Sequence, residues 1–592
     1  MTVAATFAAT FVDEWVRAGL TDAVVAPGSR STPLAVALER DGRLRVHVRL
    51  DERSAAFFAL GLGLATGRPA VLVTTSGTAA VEVHPAVVEA HQSRVPLIVC
   101  TADRPFELHH VGAPQTVEQG ALFAGAVRFT VEPGVPDEAV RTTWRSLASR
   151  LVAEAAAGPL GPGPVHANLA FREPLLGEPG ELPTGRANGR PWHRVTPVRR
   201  VPDPGSLEAI GGLLRPGTRG VIVAGAGAGR PETVRGLAVA LGWPVLADPR
   251  SGSRVPGEQG APTIAAADAL LRNEAFARSH LPDVVLRLGE SWSSRVMGGW
   301  LAASADAGAH QVLVDPYWAW RDPDRHASLV VPADPDLLLN ALTLKLEPGG
   351  ARSTEALGWS APWAAAEQAA QHAITAVLAR HAEATEPGVA RQLFAWSPAG
   401  STLVVSSSMP IRDLECYAAP RSDPATVLAN RGANGIDGVA STTLGAGAAS
   451  TGGPVVGLLG DLAFLHDATA LVRGRREPSV PAVLVVVDNG GGGIFSFLPQ
   501  ATDLDEASFE RLFGTPQNLD VADLARAAGC HTTETSSASG FGDVLDGALA
   551  HAGQRGPSVV VVRSDRRANV SVHSEIESEV GLAVEAALQA TE

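Results

Sequence analysis

Lysine is almost absent. The 592-residue chain holds one, Lys345, in Thr-Leu-Lys-Leu-Glu-Pro-Gly-Gly. That context is neither a P-loop nor a Schiff-base pocket, so P-loop nucleotide hydrolysis is excluded and pyridoxal chemistry disfavoured. Cysteine is scarce as well. Cys100, Cys416 and Cys530 are odd in number and far apart; they make neither a disulfide framework nor a zinc pattern, and they fit a reducing cytoplasm, the expected location. No uncharged run reaches the ~20 residues that span a bilayer. The first apolar stretch carries Asp13 and Glu14 and has no basic lead, unlike a signal peptide. Blocks of one charge are missing too. The 48 basic and 62 acidic residues, net −14, are interspersed, which speaks against nucleic-acid partners and against membrane binding or insertion.

What remains is a globular chain, 45% apolar, long enough for three or four domains at roughly 150 residues each. Residues 1–175 alternate strand and helix signals. Strands over 23–26, 44–50, 70–74 and 97–101 lead into Pro27-Gly28-Ser29-Arg30-Ser31, Asp51-Glu52-Arg53, Thr75-Ser76-Gly77-Thr78 and Ala102-Asp103-Arg104-Pro105. Each strand hands polar residues to the loop that follows it, the edge where open parallel sheets bind ligands. Residues 176–205, rich in Pro, Gly and Arg, read as a linker. A second α/β block over 206–345 opens with a strand at 220–224 and the glycine-rich 225–229. That loop lacks the full dinucleotide spacing and a clear acidic partner, so tight strand-to-helix packing explains it best. A second linker, 347–354, precedes an alanine-rich helix expected over 362–384. The last block, 400–592, has strands over 402–406, 455–459, 482–487 and 558–563. The fold class is α/β, with three doubly wound parallel-sheet domains over 1–180, 200–350 and 375–592; the outer two are candidates for a common fold.

Two stretches carry chemistry. Gly460-Asp461-Leu462 closes one buried apolar strand, and Asn489-Gly490-Gly491-Gly492-Gly493-Ile494-Phe495 closes the next, with one helix expected between them over 463–477. Such a βαβ unit delivers Asp461 and Asn489 to the same sheet edge. A carboxylate, an amide oxygen and the bare carbonyl of Gly491 are hard ligands for Mg²⁺ or Ca²⁺, and the glycine run lets backbone approach a phosphate. Two ordinary βα turns are the plainer alternative. Glu52 stands at a strand-to-helix junction, where an acid is usually just a favourable helix N-terminal charge.

These motifs resemble the thiamine diphosphate (ThDP) enzymes, in which Gly-Asp and a later Asn hold a metal on the cofactor diphosphate. The resemblance implies Mg²⁺ or Mn²⁺ on Asp461, Asn489 and the Gly491 carbonyl, with Gly460 and Leu462 beside them. Glu52 then takes the catalytic role, bonding the aminopyrimidine ring nitrogen and activating the cofactor. Thr75, Ser76 and Gly77 also bind cofactor, Ile436 props it in a bent shape, and Ile494 and Phe495 wall it. First and third domains of different subunits face each other in these enzymes, so a homodimer or dimer of dimers is implied.

Within that group the run Pro27–Leu34, written Pro-Gly-Ser-Arg-Ser-Thr-Pro-Leu, is distinctive. So are Thr101-Ala102-Asp103-Arg104-Pro105, Asn430-Arg431-Gly432-Ala433-Asn434-Gly435-Ile436-Asp437-Gly438 and Gly493-Ile494-Phe495-Ser496-Phe497-Leu498-Pro499. Together they are similar to the 2-succinyl-5-enolpyruvyl-6-hydroxy-3-cyclohexene-1-carboxylate synthase family of menaquinone biosynthesis. The implied reaction decarboxylates 2-oxoglutarate and adds the succinyl-semialdehyde unit to isochorismate. Both substrates are dicarboxylates, which arginine forks suit. Ser29, Arg30, Arg104 and Gln115 match contacts to isochorismate, Ser408 and Arg412 match further substrate contacts, and Arg431 matches the anchor of the distal 2-oxoglutarate carboxylate. Arg295 matches a middle-domain arginine that reaches toward the site. Pro114 and Ser294 depart from the Asn and Lys that relatives carry there. The alternatives are another ThDP-dependent 2-oxoacid decarboxylase or carboligase of the acetolactate-synthase kind, and a nucleotide-binding regulatory protein using 225–229.

Overall fold

The computed structural model describes residues 1–592 except 216, 291, 347–353 and 590–592, and leaves the side chains of 354–357 aside. The second linker expected at 347–354 therefore lies, up to residue 353, outside the described residues.

Among the described residues three six-stranded sheets form, and every strand pair in them is parallel. In the first, the order is Arg45–Val48, Asp22–Val25, Ala70–Thr74, Leu97–Asp103, Pro164–Ala170, Phe129–Val131. In the last it is Thr426–Ala429, Thr402–Val405, Val455–Gly460, Ala482–Asp488, Ser558–Arg563, His531–Thr535. Counting strands within each domain, both read 2-1-3-4-6-5, so the outer domains share one topology. The middle sheet runs Leu329–Val331, His310–Val314, Val284–Leu288, Gly220–Ala224, Val245–Ala247, Thr263–Ile264, the 3-2-1-4-5-6 order of dinucleotide-type folds. The central strands are uncharged and β-branched because helices cover both faces; Val483–Val487 and Val559–Val562 are at most 4% exposed.

One expectation fails. No single helix fills 463–477: a short helix, Asp461–His466, is followed by a 3₁₀ turn, Ala468–Leu471. The break falls at Asp467, whose buried carboxylate leaves the helical path to accept from Ser441 N (2.6 Å), Ser441 Oγ (3.0 Å) and Ser54 Oγ (3.1 Å). The alanine-rich helix also differs, spanning Thr354–Leu378 with Pro362 inside it. It ends early because residues 382–384 pair with 536–538 instead.

The outer domains pack on each other through Glu52–Thr66 and Val439–Ala449. A Cβ on Gly61 would strike the Thr442 carbonyl, and one on Gly445 would strike that of Phe58. The two backbones touch because both positions lack a side chain.

Candidate active site

In the last domain the strand order reverses between Thr402–Val405 and Val455–Gly460, and a ligand crevice opens beyond such a switch point. A cavity of about 360 Å³ lies there, within the range of small-molecule sites. Asp461, Asn489, Gly491, Gly460 and Leu462 line it, as do Ile436, Ile494 and Phe495. Ser408, Arg412 and Arg431 line it too.

Asp461 is 5% exposed. Burial pushes its carboxyl up to about 6, although the Leu462 and Gly491 N–H groups pull the other way. Asn489 Nδ2 donates to Glu386 Oε1 at 2.7 Å, while Asn489 Oδ1 is buried without a partner. A divalent cation at this point would satisfy that oxygen and neutralise Asp461. Gly491 has φ 132°, and a Cβ on it would strike the Gly514 carbonyl. Only glycine holds the loop open here. The donor set thus fits a metal bound to a diphosphate.

Part of the lining is cationic. Arg412 Nη1 donates to the Ser408 carbonyl (2.6 Å), and Arg431 Nη1 reaches Ser407 Oγ (3.4 Å). Neither arginine meets a carboxylate within ion-pair distance among the described residues. Burial, then the charges of Arg250 and Arg412, depress the Arg431 pKa; a bound anion would relieve both. Ser408 has φ 73°, a costly conformation for a non-glycine residue. Sequence reasoning missed Glu386, which opens the helix Glu386–Trp396 and reads there as a first-turn acid. Its carboxyl is raised by burial, with Asp413 and Asp461 adding repulsion.

The first domain builds a second cluster at its own switch point, between Asp22–Val25 and Ala70–Thr74. The loops touch where a Cβ on Gly28 would strike Thr75; in the same loop Arg30 Nη1 donates to the Phe171 carbonyl (2.9 Å), and Arg30 Nη2 lies 3.6 Å from Glu173. Arg104 Nη1 bonds Ser76 Oγ and the Gln115 carbonyl (3.1 Å). Burial, then Arg30, lowers its pKa. Gln119, also missed, ties this edge together by accepting from Gly77 N (2.9 Å) and donating to Asn168 Oδ1 (2.9 Å). Glu52 is the first residue of Glu52–Thr66, with Asp51 as its N-cap. Burial raises its carboxyl.

None of this second cluster lines the Asp461 cavity of the same chain. Arg295 lines neither cluster. It begins the helix Arg295–Asp306 beside a middle-domain cavity. Ser294 caps that helix, accepting from Met297 N (3.0 Å), which a lysine could not do. The 225–229 loop is filled by protein: Gly225 packs on Glu290, and Asp336 takes Arg230 N (2.8 Å) and Thr233 Oγ. A carboxylate there repels a phosphate.

Family models match in the same order as the sheets. The N-terminal thiamine pyrophosphate (TPP) binding domain of thiamine pyrophosphate enzymes covers residues 5–122, their middle domain 213–405 and their C-terminal TPP binding domain 415–562. A 2-succinyl-5-enolpyruvyl-6-hydroxy-3-cyclohexene-1-carboxylate synthase of Thermobifida fusca is 44% identical over 591 residues, 97% of this chain and 98% of its own. The chain belongs to this synthase family. Synthases of the same name from Chloroflexus aurantiacus and Halobacterium salinarum are 41% and 40% identical, over 94% and 95% of this chain and 93% and 96% of theirs. Membership in the synthase family selects among thiamine enzymes, and the acetolactate-synthase-like alternative loses its ground.

Proposed function

We propose that the protein decarboxylates 2-oxoglutarate and joins the remaining four-carbon unit to isochorismate, as the name of its relatives describes. The observation that carries this reading is that Arg412 and Arg431, which have no carboxylate partner among the described residues, line the same cavity as Asp461 and Asn489. A 2-oxo acid with a second carboxylate satisfies such a lining; pyruvate does not.

Asp461, Asn489 and the Gly491 carbonyl would hold Mg²⁺ or Mn²⁺ on the cofactor diphosphate. Bound ThDP supplies the nucleophilic carbon and the electron sink. Glu52 would keep a proton at the aminopyrimidine ring nitrogen, a task suited to a carboxyl whose burial favours the protonated form. Arg431 would take the distal carboxylate of 2-oxoglutarate, with Ser408 and Arg412 aligning the reacting end. Arg30, Arg104 and Gln115 would receive isochorismate. Ile436, Ile494 and Phe495 keep water from the reacting carbon. Arg295 would approach from the middle domain.

Glu52 and the Asp461 cavity belong to different clusters within one chain, so the complete site is read as forming between two copies. Leu50, Phe106 and Val111 support this: they are 69%, 79% and 68% exposed beside the Glu52 edge. Cysteine scarcity supports a cytoplasmic location. A coupled assay with ThDP, Mg²⁺, 2-oxoglutarate and isochorismate, omitting each in turn, tests the function. Turnover should need all four, and CO₂ release from pyruvate at an equal rate would overturn the reading.

A further inference from the structure

Glu89 takes no part in the chemistry above, yet it touches the loop on which that chemistry depends. It lies on the first-domain helix His84–Gln92 and is 3% exposed. A buried carboxylate needs compensation, and Glu89 has no cationic partner among the described residues. Its Oε1 accepts from Gly432 N (2.8 Å) and its Oε2 from Ala433 N (2.7 Å), while Ser93 Oγ also donates to Oε1 (2.5 Å). Two consecutive backbone N–H groups of the third domain are thus gripped by one side chain of the first.

The gripped stretch is irregular. Between the strand Thr426–Ala429 and the helix Val439–Ala449, its one backbone hydrogen bond near the arginine is Arg431 N–H to the Ala429 carbonyl (3.0 Å). Gly432 sits so close to the end of the Glu89 helix that a Cβ would meet Gln92 Cβ at 2.6 Å and Ser93 Oγ at 2.7 Å. Arg431 is therefore the last residue before a fixed point, and its guanidinium swings from that point into the cavity.

We propose that Glu89 is a positioning residue for the 2-oxo acid. By clamping Gly432 and Ala433 it sets how far Arg431 stands from the metal-binding loop, and so which chain length of 2-oxo dicarboxylate the site accepts. The proposal rests on Arg431 anchoring the distal carboxylate. Charge-assisted bonds from a carboxylate to backbone N–H groups are the stronger kind, so their loss lets the loop wander without removing any group that touches substrate.

The test measures KM and kcat for 2-oxoglutarate in Glu89→Ala, Glu89→Gln, Arg431→Ala and the double variant Glu89→Ala/Arg431→Ala, with folding followed by circular dichroism. Glu89→Ala should raise KM for 2-oxoglutarate roughly tenfold, with kcat at saturation and ThDP affinity within about threefold of wild type. Its preference for 2-oxoglutarate over the one-carbon-shorter oxaloacetate should shrink by a similar factor. Glu89→Gln keeps the shape but turns a donor toward the Ala433 N–H, and should raise KM severalfold. The double variant should be no worse in KM than Arg431→Ala, because the clamp acts only through the arginine. Should Arg431→Ala raise KM while folded Glu89→Ala and Glu89→Gln leave it unchanged, the clamp proposal falls and the Arg431 assignment stands. If Arg431→Ala itself leaves KM unchanged, both fall.

Discussion

Asp461 shows how burial and chemistry oppose each other at one residue. Its carboxyl is pushed up to about 6, so the free protein holds a proton there more readily than an exposed aspartate does. A cation held by Asp461, as proposed, would have to displace that proton. Below about pH 6, affinity for Mg²⁺ in the presence of ThDP should fall close to tenfold per pH unit, one proton competing with one metal ion. Metal titrations at pH 5 and pH 7 check this, and equal affinities would show that Asp461 is not a ligand. The sign for stability is the reverse. The folded pKa lies above the unfolded one, so the stability this group contributes to the metal-free protein is present in acid and is lost as pH rises through about 6. Glu52, the proposed proton handler, offers a second test. Exchange of Glu52 for Gln preserves shape but weakens proton handling, and turnover should drop by about 10²–10⁴. Circular dichroism and ThDP affinity should barely change; near-normal turnover would remove Glu52 from the reaction.

At the scale of elements, the crossing of Glu52–Thr66 over Val439–Ala449 fixes where both Glu52 and the loop before residue 439 begin. Gly61 and Gly445 make the crossing possible. A leucine at either position has no room and should cost about 1–3 kcal/mol or more, read as a lower denaturation midpoint. A midpoint unchanged in Gly61→Leu would contradict the close approach. The crossing itself was not legible in the sequence, which showed only a strand-to-helix junction at Glu52. The central strands were legible, because doubly covered parallel strands must be apolar and β-branched. Short edge strands such as Phe129–Val131 and Thr263–Ile264 carry too few residues for any pattern. The helix expected over 463–477 had the right composition, but nothing local announces that Asp467 bonds to Ser441 and Ser54. Asp461 and Asn489 could be read from their loops. Glu386 could not, since its partner Asn489 is contributed by a distant strand end. Long-range contacts decide these cases, and sequence spacing is silent about them.

At the scale of the whole molecule, the proposed site divides one chain into two half-sites. The cavity with Asp461 has no Glu52 in its wall, and the edge with Glu52 exposes Leu50, Phe106 and Val111. A two-fold pair of copies would bury that apolar edge and complete two equal sites, each using Glu52 of one copy and Asp461 of the other. This arrangement has a consequence that a site built within one chain lacks. Glu52→Gln and Asp461→Ala are each expected to be inactive alone. When the two variants are mixed and allowed to exchange subunits, half of the dimers are mixed. Each mixed dimer carries both lesions in one site and neither in the other, so activity should recover to about a quarter of wild type at equal proportions. Dilution that separates subunits should abolish the recovery. If the mixture stays inactive although exchange is shown by mass-tagged subunits, Glu52 and Asp461 serve the same chain and the two half-sites must close within it.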